Sequence, residues 1–233
     1  LMNIKYSDSY VVKIRIILMI ISFLLLFYAH WMIMFLGIII YIFYGYLYNE
    51  YLLRFKKSPF RGLMCKVVVG VSLIYSGYIH SHGLSEIFSF SFLILAAPYI
   101  LFFISICLLI DIPDIKGDKV DDNVTVVIFL GEQKTILIVL LLNLFALLLA
   151  LNSNDPLASI TLVVSFPFFI YALVRGMKKD ILRSIRYPIS IINLFAMTVY
   201  PYLFIPIFII FYLSKYYYWH RFNLHYPTML VDD

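Results

Sequence analysis

The sequence predicts an all-α protein, a polytopic transmembrane helical bundle of seven or eight spans around a cavity. Three observations carry that reading. Of 233 residues, 64% are hydrophobic and only 13% are charged, a balance that no soluble domain of this length would tolerate. The apolar residues fall in runs of roughly 20, the length of helix that crosses a bilayer. Those runs are too long for membrane strands and lack their period-two alternation, which excludes a closed β-barrel.

Along the chain, the apolar windows place helices at 10–29, 31–48, 62–80, 87–110, 133–151 and 157–175. No small-residue cleavage site follows the first run, so it is expected to be a span rather than a removable signal. The stretch 188–214 admits two forms. It is either one long span kinked at Pro201 and Pro206, or two short half-spans meeting at Tyr200-Pro201. Pro98 and Pro167 are expected to kink their helices, and Asn143 and Asn193, polar residues in mid-span, to bond across helices. Cys65 and Cys107 lie within apolar runs and are expected to be buried thiols rather than a disulfide. With no internal repeat, linker or low-complexity segment, residues 1–233 read as a single domain.

Basic residues are segregated among the loops. Arg54, Lys56, Lys57 and Arg61 follow the second expected span; Lys116, Lys119 and Lys134 follow the fourth; Arg175, Lys178, Lys179, Arg183 and Arg186 follow the sixth. The alternate loops, around His30, 80–86 and 152–156, contain no Lys or Arg. The three basic loops are therefore expected to face the cytoplasm. The net charge of +5 sets topology in this way and does not point to nucleic acid, for which there is no basic stripe and no soluble domain. His30, His80, His82, His220 and His225 form no zinc signature, and no Gly-rich phosphate loop is present.

The segment that carries chemistry is Asp111-Ile-Pro-Asp114-Ile-Lys-Gly117-Asp118-Lys119, directly after the fourth apolar run. Its three carboxylates recur at spacings of three and four, so a helical turn or tight loop brings them to a common face. Carboxylates so crowded repel one another unless a cation lies between them. Mg²⁺ suits such a place, because it keeps several waters and recruits substrate phosphates to complete its octahedron.

The same segment, with Thr125 and Leu130-Gly131 beyond it, resembles the second aspartate-rich motif of the UbiA superfamily of intramembrane prenyltransferases: an Asp-x-x-Asp-x-x-Gly-Asp core, a Thr, then a Leu-Gly opening the next helix. Two positions depart, Asp122 where Gly is common and Val127 where Pro is common. The family's first motif, Asn-Asp-x-x-Asp-x-x-x-Asp before a Pro-x-Arg segment, is similar to Asn49-Glu50 and Pro59-Phe60-Arg61, but Leu53 and Lys57 stand where two aspartates are usual. About sixty residues and two spans separate Asn49 from Asp111, fewer spans than the family usually places there. The tail from Tyr216 to Pro227 also looks similar to prokaryotic members.

The resemblance implies a UbiA-like fold and Mg²⁺-assisted transfer of an isoprenoid from a prenyl diphosphate to an aromatic or other lipophilic acceptor within the membrane. It implies Asp114, Asp118 and Asp111 as catalytic residues and Mg²⁺ ligands, with Asn49 or Glu50 completing the site. Lys56, Lys57, Arg61 and Lys119 would then hold diphosphate oxygens. Each assignment has a plainer counterpart: a solvated turn for the aspartates, topology anchors for the cations. Tyr41, Tyr44, Tyr48 and Tyr51 recur at helical spacing before the first motif, and either line the cavity or anchor the interface. The alternative function is a catalytically degenerate relative that binds an isoprenoid or scaffolds a membrane complex, which Leu53, Lys57 and the missing spans favour. A transporter ranks last, because Lys13, Arg15 and Lys66 lie near span ends and the spans otherwise lack ionisable groups.

Overall fold

The computed structural model describes residues 8–48 and 54–224, and every regular element among them is a helix. The elements are α1 (Asp8–Ala29), α2 (Trp31–Ile40) running on into a π-helical segment (Tyr41–Leu47), α3 (Pro59–His82) and α4 (Phe90–Ile110). They continue with the short α5 (Ile115–Val120) and α6 (Val126–Leu130), then α7 (Glu132–Asn152), α8 (Pro156–Arg175), α9 (Lys178–Val199) and α10 (Phe204–Phe222). Five of them, α1, α3, α4, α7 and α8, are long and apolar enough to cross a membrane. The 21 residues of α7, for example, rise about 31 Å, the thickness of a hydrocarbon core. The apolar stretch Trp31–Leu47 is shorter than these. Eight spans would need this stretch together with α9 and α10, and seven would need two of the three.

The chain forms two compact units. The first comprises residues up to Phe55 and Met64–Phe92. In it α1 turns at His30, whose Nδ1 caps α2 by accepting from Met32 N–H at 3.1 Å. Ile33, Ile79 and Ile87 make its buried centre, with Tyr75 and Tyr78 packed against them. The π-helical segment ends where Tyr48 N–H reaches Phe43 O at 3.0 Å, and the Tyr44 and Tyr48 rings stack at 5.1 Å.

The second unit comprises Lys56–Leu63 and everything from Leu93 onward. Its core runs from Phe102, Ile106 and Leu109 on α4, through Ile112, Val126 and Val127 in the connecting segment, to α7, α8 and α9. The fully buried positions of α7 and α8 include Ala146, Ala150, Ser165 and Ala172, small residues that let helix backbones approach closely. α8 starts on a strong cap: Asp155 Oδ1 accepts from Leu157 N–H at 2.9 Å and Ala158 N–H at 3.3 Å. The other Asp155 oxygen accepts from Tyr99 Oη at 2.6 Å, tying α4 to the start of α8. Cys65 and Cys107 are both buried thiols, as expected.

Two expectations change. The last apolar stretch does divide at Tyr200–Leu203, but α9 starts at Lys178, ten residues before the apolar window. The reason is amphipathicity: Asp180, Ile181, Ser184, Ile185 and Pro188 form one buried stripe, so this charged stretch is helix and not loop. Among the described residues, neither Asn143 nor Asn193 bonds across helices. Each donates from Nδ2 to the carbonyl four residues back, Val139 O and Ile189 O, both at 2.8 Å.

Candidate functional site

The Asp-rich segment leaves the end of α4 as a turn and then winds into α5. Ile112 is buried in the core and pins the turn, with its N–H bonded to Leu109 O at 3.1 Å. Asp111 is half-buried, Asp114 is exposed and Asp118 is half-buried. Asp118 N–H donates to Asp114 O at 2.9 Å, so these two carboxylates are one helical turn apart on one face of α5. Lys116 and Lys119 are exposed on the same short helix.

Its exit explains one departure from the motif. Asp121 caps α5, Asp122 takes a left-handed φ of +54°, and Asn123 N–H folds back onto Asp118 O at 2.8 Å. This is a Schellman closure, whose left-handed residue is ordinarily glycine. Asp tolerates that conformation at a cost, so Asp122→Gly is expected to raise the stability of the protein by about 1 kcal/mol. Thermal unfolding in lipid nanodiscs checks it, and a lower melting temperature would contradict it. Val127, where Pro is common, is the second residue of α6, in the first turn of that helix. Amides in a first turn have no intrahelical partner, so a ring there would sacrifice nothing.

Gly131 joins α6 to α7 with φ +87° and ψ 155°, a conformation essentially reserved for glycine. Its carbonyl accepts from both the backbone and the hydroxyl of Thr135, at 3.1 and 2.8 Å. Gly117 differs: its φ is ordinary and a Cβ there would meet nothing within 4 Å. A glycine in a helix without steric need leaves the backbone beside Asp114 and Asp118 open to a ligand.

The basic segment Lys56–Leu63 belongs to the same unit as this loop. Phe60 meets Phe129 of α6 edge-on with ring centroids 5.8 Å apart, and Leu63 packs against the core. Lys56 is half-buried on a short 3₁₀ turn, while Lys57 and Arg61 are exposed. Asn49, Glu50, Leu53 and Tyr51 lie outside the described residues. Among the described residues, no three His, Cys, Asp or Glu side chains stand close enough to hold a metal ion. The donors present still suit Mg²⁺: hard carboxylates on one helical face, with coordination left for water and phosphate oxygens.

Two features escaped the sequence. Asn123 is 8% exposed, donates from Nδ2 to Asp118 Oδ1 at 3.2 Å, and has no partner for its buried Oδ1. Nothing in the motif marks it. Asp180, 3% exposed, lies between two arginines: Oδ1 accepts from Arg183 Nη1 at 3.2 Å, and Oδ2 is 3.2 Å from Arg175 Nε in an ion pair short of hydrogen-bond alignment. The signal was a lone acid among five bases over 175–186.

Away from these polar groups, an apolar groove of about 800 Å³ runs along α10, lined by Phe208, Tyr212, Leu213, Lys215, Tyr216 and Trp219. A cavity of about 10 Å³, room for one water, lies between Tyr99, Thr161 and Ile192.

The family model of the UbiA prenyltransferase family matches residues 5–187, from α1 into α9. No curated protein and no solved structure matches the chain.

Proposed function

The chain belongs to the UbiA prenyltransferase family, whose general activity is prenyl transfer in membranes, and from that premise we propose that it moves an isoprenoid chain from a prenyl diphosphate to a lipophilic, aromatic acceptor. The observation that carries this reading is the acidic face of α5 with the basic 56–63 segment in the same unit. Asp114 and Asp118 would hold Mg²⁺, with Asp111 adjacent and Asn49 or Glu50 contributing from the first motif. When bound, the ion neutralises charge on the leaving diphosphate.

Lys56, Lys57, Arg61 and Lys119 hold the diphosphate oxygens, Arg61 in bidentate fashion. The C–O bond to the allylic carbon breaks with its electron pair leaving on the diphosphate. The acceptor's ring captures the cation and loses a proton. Apolar walls keep water from the cation, and aromatic faces stabilise it. The basic and Asp-rich loops face the cytoplasm, following the segregation of Lys and Arg, and the whole chain acts as one integral membrane domain.

One observation favours a second reading. Leu53 and Lys57 replace two aspartates of the first motif, as in a relative that binds an isoprenoid without turning it over. Labelled prenyl diphosphates offered to the protein in vesicles, with a panel of aromatic lipophilic acceptors, separate the two. Label extracted in a new lipophilic product supports transfer. Saturable binding with no product supports the second reading.

A further inference from the structure

We propose that Asn123 is both a positioning residue for Asp118 and a further oxygen ligand of the divalent cation held at this loop. The inference rests on the metal reading given under Proposed function. Asn123 grips Asp118 twice, through its backbone N–H on Asp118 O at 2.8 Å and its Nδ2 on Asp118 Oδ1 at 3.2 Å. The carboxylate is thereby held in one orientation.

The amide can face that carboxylate only through its NH₂, because its oxygen would repel the charge. Oδ1 is therefore directed elsewhere, and it is buried with no hydrogen-bond partner. Leaving a buried carbonyl unpaired is costly, and such groups usually mark a ligand or water site. An Asn carbonyl oxygen beside a carboxylate is a hard donor of the type Mg²⁺ and Ca²⁺ accept. The Thr125 hydroxyl, two residues on, is also buried and unpartnered, so the strap leading into α6 carries two unsatisfied oxygens.

The test uses the full chain in lipid nanodiscs, Mn²⁺ as the probe, and the electron paramagnetic resonance signal of free Mn²⁺ as the readout. Wild-type protein binds Mn²⁺, and Asp118→Ala loses it. Asn123→Ala weakens binding by about tenfold, the scale on which groups supporting a ligand act, while its melting temperature stays within a few degrees of wild type. Asn123→Asp, which keeps the oxygen ligand but loses the NH₂ donor to Asp118, recovers part of the binding that Asn123→Ala loses.

Asn123→Ala binding as tightly as wild type, with Asp118→Ala still deficient, would overturn this inference and leave the proposed function standing. Equal losses in Asn123→Asp and Asn123→Ala would overturn the ligand role. No Mn²⁺ binding by the wild type would overturn the metal reading itself.

Discussion

Asp118→Ala, alone or with Asp114→Ala, is expected to reduce diphosphate release from a prenyl diphosphate by about a thousandfold, corresponding to roughly 4 kcal/mol of transition-state stabilisation. The two side chains share one face of α5, and this sharing is built by the backbone bond from Asp118 N–H to Asp114 O. On the proposed reading, removing either takes away a carboxylate that would hold the Mg²⁺ offsetting the leaving group's charge. The loss should fall on turnover more than on substrate affinity, since the charge develops in the transition state. The fold should survive, because neither residue is buried and the turn is anchored by Ile112. Single-turnover assays on melting-matched variants check this, and near-normal release from the double variant would contradict it.

The second large effect is on stability. Asp180 is buried, whereas Arg175 and Arg183 are 42% and 36% exposed. Either Arg→Ala change alone leaves one guanidinium beside the carboxylate and should cost under about 1 kcal/mol, as expected of a partly exposed ion pair. Removing both strands a buried charge, and the double variant should lose about 3 kcal/mol, well beyond the sum of the singles. Adding Asp180→Leu to the double variant should recover most of that loss, because the stranded charge is gone. Thermal unfolding of the four variants in nanodiscs decides it. Additive effects, or no recovery with Leu, would show that Asp180 is not held by these two arginines.

Much of the fold was legible because a bilayer imposes a length on apolar runs. The helices expected at 10–29, 62–80, 87–110, 133–151 and 157–175 are found to within a few residues, as α1, α3, α4, α7 and α8. The start of α9 was hidden because hydropathy averages over a window. Asp180, Ser184 and their basic neighbours dilute a buried stripe that only the helical period reveals. The π-helical run at Tyr41–Leu47 left no signal, since its composition is that of any apolar helix.

At the site, residue types were legible and their partners were not. Asp114, Asp118 and Gly117 stand out by spacing. That Asp122 occupies a left-handed position, and that Asn123 folds back on Asp118, follow from a closure stabilised by backbone bonds that no residue pattern announces. Lys56–Leu63 shares a unit with the Asp-rich loop, and Phe60 meets Phe129 there, a contact between residues distant in sequence.

Diphosphate release by the full chain in lipid vesicles across a Mg²⁺ titration tests most directly whether this loop supports metal-dependent ionisation of a prenyl diphosphate. Release is expected to rise with Mg²⁺, vanish with chelator and be absent from Asp114→Ala/Asp118→Ala. Release that ignores Mg²⁺, or none from prenyl diphosphates of any chain length with acceptors present, would contradict it.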